Sequence, residues 1–289
     1  MNHAKHKIAT HFASQPVKTW SRTQLSNEFE RNRTTWLLDD EVTLSQFIDF
    51  VLTELEMKCL KLGQNFNFAT IYCWGNVDVP TILQSAYSVG YFSHATAAFI
   101  NGLLEDEPSH LYFNIEQPAK PTRSAKLEQS RIDAAFKRPV RSSNNVFEIS
   151  DRSIHLLSGK NTGQLGVVDN QTLGSNLVRA TNTERTLIDL CVRPLYTNGP
   201  SGILKAFRAA IPLSISIRQL VDNLRNMDFA YPYHQAIGFY CQRAGFPLSQ
   251  LEELTALGTR HRFYLDYELE DPKYDDRWCI YYPPELDEV

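Results

Sequence analysis

The chain has 289 residues, of which 43% are hydrophobic and 21% are charged, as in ordinary globular proteins and unlike disordered ones. This length is enough for two domains. The formal net charge is -4, which excludes a protein that coats nucleic acid by bulk positive charge, so any such binding requires a local basic patch.

The five cysteines are scattered along the chain and no two form a CxxC pair, which argues against a zinc ribbon. Scattered cysteines without a signal-peptide pattern indicate a reducing compartment, so we expect a cytoplasmic protein. No apolar run approaches the ~20 residues that a membrane span needs, and we expect no membrane partner.

The N-terminal 80 residues begin with three predicted helices. The first is expected over residues 5–12. Two capping boxes, Ser21 with Gln24 and Thr43 with Gln46, predict the starts of the next two. In such a pair each side chain bonds to the backbone amide of the other residue, which satisfies two amides of the first helical turn.

A β-hairpin is predicted to follow the three helices. Its strands are expected over residues 57–62 and 66–74, and Gly63 and Asn65 between them suit a short loop. Three helices followed by a hairpin is the order of a winged helix-turn-helix. We therefore predict this fold for the N-terminal part.

The winged helix predicts contact with DNA through its third helix. Ser45 and Gln46 lie on the outward face of that helix and would meet base edges in the major groove. Phosphates would be held by nearby basic residues, which are Arg22, Arg31, Arg33, Lys58 and Lys61. Because no outward residue of the third helix is basic and Asp49 would repel phosphate, the alternative is a winged helix that contacts only protein.

A basic stretch over residues 120–141 contains only two acidic residues, Glu128 and Asp133. We interpret it as a contact for phosphate or for a partner protein. Its candidate contact residues are Lys126, Arg131, Lys137, Arg138 and Arg141. The alternative is a solvated helix face, with a short helix expected over residues 129–136.

Glu184 and the residues around it form the most distinctive stretch of the chain. Thr181 and Glu184 have the spacing of a capping box and predict the start of a helix. Arg185 and Asp189 are four residues apart, so we expect an exposed ion pair worth only ~0.3 kcal/mol. We interpret these four residues as a structural motif. The alternative is a nuclease or transferase that uses Glu184, Asp189 or His234.

The remaining regular elements follow from hydrophobic periodicity and turn residues. They are helices over residues 203–210, 217–227 and 231–244, and strands over 111–116, 153–157, 166–168, 177–179, 262–267 and 278–282. No cofactor is predicted, because the glycine-flanked Lys160 is not followed by the serine or threonine of a phosphate loop.

Three stretches carry a resemblance to a known family. Residues 91–103 form a serine-capped helix that ends in Gly-Leu, and residues 111–116 form the strand after it. Residues 181–189 read Thr-Asn-Thr-Glu-Arg-Thr-Leu-Ile-Asp. This is similar to the Thr-x-x-Glu-Arg-Thr-Leu-Leu-Asp signature of the AbiEi antitoxins, which belong to bacterial abortive-infection toxin–antitoxin pairs.

The resemblance implies a winged helix over residues 1–80 that represses its own operon and an antitoxin domain over residues 81–289. The domain would oppose a nucleotidyltransferase toxin encoded beside it, without catalysis, cofactor or metal. We therefore predict an α+β fold, with an N-terminal winged helix-turn-helix followed by a mixed α/β antitoxin domain. The alternative function is a defence-system adaptor whose winged helix mediates protein contact only.

Overall fold

The computed structural model describes residues 2–64, 68–119 and 127–288. Three parts of the predictions lie outside these ranges, namely the loop residue Asn65, the start of the second hairpin strand at residue 66, and residues 120–126 of the basic stretch, with Lys126. The fold is α+β, as predicted.

The helices and strands of the described ranges are numbered in chain order. The α-helices are α1 (Lys5–Ser14), α2 (Arg22–Asn32), α3 (Leu44–Glu54), α4 (Val79–Ala86), α5 (His94–Ile100), α6 (Gln129–Phe136), α7 (Thr183–Val192), α8 (Gly199–Ala210), α9 (Ile217–Met227), α10 (Tyr233–Ala244) and α11 (Glu252–Thr255). The strands are β1 (Thr19–Ser21), β2 (Met57–Leu62), β3 (Ala69–Trp74), β4 (Tyr91–Phe92), β5 (His110–Glu116), β6 (Val146–Ile149), β7 (Arg152–Gly159), β8 (Val167–Leu173), β9 (Asn176–Thr181), β10 (Phe263–Tyr264), β11 (Lys273–Asp275) and β12 (Ile280–Tyr282).

The N-terminal part has the element order and strand pairing of a winged helix. Its three-stranded antiparallel sheet has the order β1-β3-β2, with α2 and α3 between β1 and β2. Both predicted capping boxes are confirmed, at Ser21 and at Thr43. The core is aromatic; for example, Trp36 stacks on Phe47 with ring centroids 5.4 Å apart. Sequence patterns missed β1 because three residues are too few for a detectable alternation.

The hairpin sheet packs on both of its faces. Met57, Tyr72 and Trp74 belong to the winged-helix core. On the opposite face, Ile71 and Cys73 belong to a second apolar cluster that also contains residues of β5, β7 and β9. Since successive side chains alternate across a strand, one hairpin joins both parts of the molecule. The predicted boundary at residue 80 falls inside α4.

A six-stranded mixed sheet forms the centre of the molecule, with the order β6-β7-β5-β4-β9-β8. The pairs β5–β7 and β4–β9 are parallel, and the other neighbouring pairs are antiparallel. Helix α7 follows β9 directly, and its buried side chains join the apolar core of the C-terminal helices. The three-stranded sheet β10-β12-β11 closes this core. Residues 181–189 therefore lie where the central sheet meets the C-terminal helices.

Candidate functional site

The predicted capping box of Thr181 and Glu184 is wrong. Thr181 is the last residue of β9, and strand pairing holds its backbone. Asn182 is the N-cap of α7 instead, and its side chain accepts a 3.0 Å hydrogen bond from the amide of Arg185. Glu184 accepts a 3.1 Å hydrogen bond from the amide of Ser216, just before α9. Glu184 therefore links α7 to α9.

The Arg185–Asp189 pair forms as predicted, but it is buried instead of exposed. Arg185 Nε lies 2.9 Å from Asp189 Oδ1, and the two side chains are only 5% and 8% exposed. Arg185 Nη1 also donates to Thr162 Oγ1 at 3.0 Å and to the carbonyl of Leu165 at 2.6 Å. Burial alone would lower the pKa of Arg185, but Asp189 and Tyr91 raise it, so the guanidinium keeps its charge.

Hydrogen bonds continue from Arg185 into the central sheet. Thr162 donates from its hydroxyl and, at 2.9 Å, from its amide to the carboxylate of Glu116. The hydroxyl of Tyr91 donates to Glu116 at 3.0 Å and accepts from Asn114 at 2.7 Å. Burial would raise the pKa of Glu116, but the hydrogen bonds that it accepts lower it. We call this set the polar network; it consists of Tyr91, Asn114, Glu116, Thr162, Arg185 and Asp189.

His94 lies beside the polar network at the start of α5. Its backbone φ is 51°, in the left-handed region, and its Nδ1 lies 2.9 Å from the hydroxyl of Ser93. Burial lowers the pKa of His94 to about 4, although the nearby Asp189 acts in the opposite direction. Within the described residues, Asp189 Oδ2 is buried without a hydrogen-bond partner. Because the pKa of His94 lies well below 7, its imidazole is neutral at pH 7.

The residues of the enzymatic alternative have separate partners. Glu184 bonds to Ser216, Asp189 bonds to Arg185, and His234 Nε2 lies 2.6 Å from the carbonyl of Gly258. Burial lowers the pKa of His234. Residues 2–64, 68–119 and 127–288 contain no group of three or more His, Cys, Asp or Glu side chains placed to hold a metal ion.

Of the predicted phosphate contacts on the helices, Arg22 and Arg31 are exposed on α2. Arg33 is engaged within the protein. Its Nη2 donates to the carbonyls of Asp39, at 2.9 Å, and Val42, at 2.8 Å. Arg33 thus holds the loop between α2 and α3, and its guanidinium is not presented to a ligand.

The two predicted lysines of the hairpin do not share a face. Lys58 pairs in register with Cys73, and Lys61 pairs with Thr70, so alternation places their side chains on opposite sides of the sheet. Lys58 Nζ donates to Asn76 at 3.2 Å, and Lys61 Nζ lies 5.6 Å from the ring centroid of Phe68. A duplex on one side of the hairpin meets only one of them.

The outward face of α3 is negatively charged. Ser45 and Gln46 are exposed as predicted, but the side-chain carbonyl of Gln46 accepts from the Thr43 amide at 2.9 Å within the capping box. Exposed carboxylates stand on this helix and on the loop before it; they are Asp39, Asp40, Glu41, Asp49 and Glu54, of which Glu54 is paired with Lys5 at 3.0 Å. This charge opposes insertion of α3 into a major groove.

The predicted helix α6 is confirmed, and the basic side chains in the described part of the basic stretch are exposed, while Ile132 and Phe136 of α6 are buried. Arg131 lies 3.8 Å from Glu128, while Lys137, Arg138 and Arg141 stand on the surface after α6. The segment then reaches the hairpin, since the amide of Gln64 donates to Asn145 at 3.0 Å. Arg141 precedes Asn145 by four residues, at most ~14 Å of extended chain. The basic stretch therefore ends within ~14 Å of chain from Asn145, which contacts Gln64 just after β2.

Lys160 lies at the C-terminal end of α9. Its Nζ donates to the carbonyl of Met227 at 2.6 Å and to that of Asp228. Lys160 therefore neutralises the carbonyl end of α9. The ring centroid of Phe229 lies 5.4 Å from the same ammonium group.

Sequence patterns missed most of the polar network. Tyr91 and Asn114 are on β4 and β5, Glu116 ends β5, and Thr162 is in the loop after β7. No local motif joins such residues, because only the pairing of strands brings them together. A polar residue within an apolar strand, such as Asn114, is the one signal that could have marked the network.

The helices in the described ranges are all too short or too polar to cross a lipid bilayer. No protein-family model matches the chain, and no curated protein matches it either. In structure the chain is similar to the crystal structure of the RV2827C protein from Mycobacterium tuberculosis, with a TM-score of 0.63 and 11% sequence identity. The match covers 96% of this chain and 91% of that one. At this identity the likeness demonstrates a shared fold only.

Proposed function

We propose that this protein is the antitoxin of a bacterial toxin–antitoxin or phage-defence pair, which acts in the cytoplasm against a nucleotidyltransferase toxin and performs no catalysis itself. The observation that carries the proposal is the buried position of the Arg185–Asp189 pair. Arg185 and Asp189 of the signature are bonded inside the molecule, where Arg185 joins α7 to the loop after β7 of the central sheet. A signature of this kind maintains a scaffold, and recognition falls to the surface.

The same proposal assigns repression of the operon to the exposed basic side chains of the winged helix. Arg22 and Arg31 on α2 are exposed, as is Lys61 on the hairpin, and the segment that follows the basic stretch contacts Gln64 just after β2. Such side chains hold phosphates and give binding that weakens steeply with salt. In this arrangement the negatively charged face of α3 stays out of the groove.

A second candidate is a defence-system adaptor whose winged helix contacts only protein. The carboxylates on and before α3 favour it, since they would repel a duplex and attract a basic protein surface. The two candidates differ in one measurable property, which is affinity for DNA from the region upstream of the operon.

Growth rescue tests the antitoxin proposal. The nucleotidyltransferase encoded beside the gene is expressed in a bacterial host with and without this chain. We expect the full chain to restore growth, and Glu184→Gln and His234→Gln to restore it equally. Loss of rescue in either variant, with normal protein levels and circular dichroism, would favour the enzymatic alternative. Failure of the unchanged, folded chain to rescue would contradict the antitoxin role.

A mobility-shift titration separates repressor from adaptor. With about four phosphate contacts, affinity for the upstream DNA should fall on the order of 100-fold between 50 and 200 mM salt. The double variant Arg22→Ala, Arg31→Ala should weaken binding, while Lys205→Ala, an exposed lysine on α8, should not. Absence of binding even at low salt would remove the repressor role and favour the adaptor.

A further inference from the structure

Three neighbouring strands at one edge of the central sheet bring two histidines and a glutamate to the same face. Glu148 on β6 lies opposite Ser153 on β7, and Ser153 lies opposite His110 on β5. His155 follows Ser153 by two residues, so strand alternation points its side chain to the same side. Glu148 and His110 are exposed, and His155 is half-buried. We call His110, His155 and Glu148 the sheet-edge cluster; none of them belongs to the polar network.

The two imidazole rings have the separation of histidines that share a metal ion. The ring centroids of His110 and His155 are 5.0 Å apart, and the ring planes make an angle of 65°. Zinc binds a histidine nitrogen at about 2.0–2.1 Å and is usually tetrahedral in proteins. Because that nitrogen lies ~1.1 Å from the ring centroid, two imidazoles on one zinc ion have centroids about 5 Å apart. The rings therefore already have the spacing that a shared ion requires.

One ring nitrogen of this pair has no hydrogen-bond partner. Within the described residues, Nδ1 of His155 is buried and unpaired. The rings of Tyr112 and Tyr196 lie on other sides of this imidazole, at centroid distances of 5.1 and 6.2 Å. In the tautomer that carries its proton on Nε2, Nδ1 offers a lone pair to a metal ion. A bound ion would thus supply the partner that this nitrogen lacks.

The carboxylates near the two rings favour a cation. Glu148 is a diagonal neighbour of His155 on the adjacent strand, at a separation of ~7–8 Å between such residues. The three side chains do not form a ready ligand set, so Glu148 must turn toward the rings to become a ligand. Three further exposed carboxylates, at residues 105–107, precede β5. Arg152 donates to Glu107 at 2.6 Å, and its place on β7 directs it to the opposite face.

Arg141 is the positive charge that opposes an ion at this place. It lies two residues before Ser143, whose hydroxyl donates to the carbonyl of Leu156 at 2.7 Å, next to His155. Arg141 is exposed, so water and salt screen its charge. Bonds between a metal ion and imidazole nitrogens form at short range, and we expect them to outweigh this screened repulsion.

We propose that His110 and His155 bind one divalent transition-metal ion of the zinc class, with Glu148 as a third ligand and water as the fourth. Imidazole nitrogen suits zinc, whereas magnesium and calcium prefer oxygen ligands. The ion connects β5 to β7 and, through Glu148, to the edge strand β6. This site is independent of the proposed function, since it requires neither a toxin nor DNA.

Calorimetric titration of Zn²⁺ into the untagged full chain, freed of metal with a chelator, tests the site. We expect one ion per chain. His110→Ala should weaken binding at least about 10-fold, because loss of a residue that merely supports a metal ligand already costs 10–100-fold. Glu148→Gln should weaken binding by less, and Arg141→Ala should not weaken it. Ca²⁺ in place of Zn²⁺ should not bind at these residues.

The matched control is His6→Ala, since His6 is also an exposed histidine but lies on α1. It should bind Zn²⁺ as the unchanged chain does. His110 is exposed, so its variant should keep the fold, which circular dichroism checks. Failure of the unchanged chain to bind Zn²⁺ would overturn the inference, as would equal affinity in the folded His110→Ala variant. Binding that His6→Ala abolishes would also refute it, because the ion would then belong to α1.

Discussion

Two ion pairs with nearly equal distances have different surroundings in the two parts of the molecule. In the winged helix, Lys5 Nζ lies 3.0 Å from Glu54 Oε2, and the side chains are 46% and 48% exposed. In the C-terminal part, Arg185 Nε lies 2.9 Å from Asp189 Oδ1, and the exposures are 5% and 8%. Water competes with the first pair and is excluded from the second. Burial, more than distance, therefore decides how much stability is lost when one partner of an ion pair is removed.

The same difference extends to the other polar contacts. In the winged helix, the capping boxes at Ser21 and Thr43 join residues three positions apart around an aromatic core. In the C-terminal part, the polar network joins Glu116 to Thr162 and Thr162 to Arg185. Changes in the first set should have local effects, whereas changes in the second should loosen the attachment of α7 to the sheet.

The largest expected effect is that of Asp189→Ala, which leaves Arg185 as a buried and unpaired charge. We expect the free energy of unfolding to fall by about 3–5 kcal/mol. The matched control Glu54→Ala removes one partner of the exposed pair and should cost at most about 1 kcal/mol. Urea titrations of both variants measure the difference. Equal losses in the two variants would show that burial does not make the Arg185–Asp189 pair more costly to break than the exposed pair.

The next effect is a pH dependence from His94. Its pKa is about 4 in the fold and near 6.5 in an unfolded chain, so the unfolded chain binds more protons between these values. Stability should therefore be complete above about pH 6.5 and should decrease as the pH falls toward 4, by ~3 kcal/mol at most. Asp189, Arg185 and Arg193 are the charged groups that act on this histidine.

The variant His94→Asn isolates this contribution, since asparagine does not titrate and tolerates the left-handed backbone. The loss of stability between pH 7 and pH 4.5, measured by urea unfolding, should be smaller in the variant than in the unchanged chain. Identical pH profiles would show that His94 is not neutralised by burial.

The smallest effect concerns the corrected helix cap. Asn182→Ala should reduce the free energy of unfolding by about 1 kcal/mol, because the Arg185 amide loses its acceptor. Glu184→Gln keeps an oxygen for the Ser216 amide and should change stability by less than about 0.5 kcal/mol. If Thr181 and Glu184 were the cap, Asn182→Ala would be silent in a denaturant titration.

Contacts between near neighbours in the sequence were predicted well. The capping boxes at Ser21 and Thr43, helices α6 and α9, and the order of the winged helix all follow from patterns within a few residues. The cap of α7 was predicted one residue early, because a threonine with a glutamate three positions on also occurs where a strand runs directly into a helix. Pairing of β9 with β8 holds Thr181 in the strand.

The α+β class, most elements and the pairing of Arg185 with Asp189 were predictable from the sequence, since helical geometry alone brings residues four apart together. The burial of this pair, its extension through Thr162 to Glu116, and the opposite faces of Lys58 and Lys61 depend on tertiary packing and strand register. The physical reason is that burial and contact between strands depend on how distant segments pack. The local periodicity of the sequence contains no information about that packing.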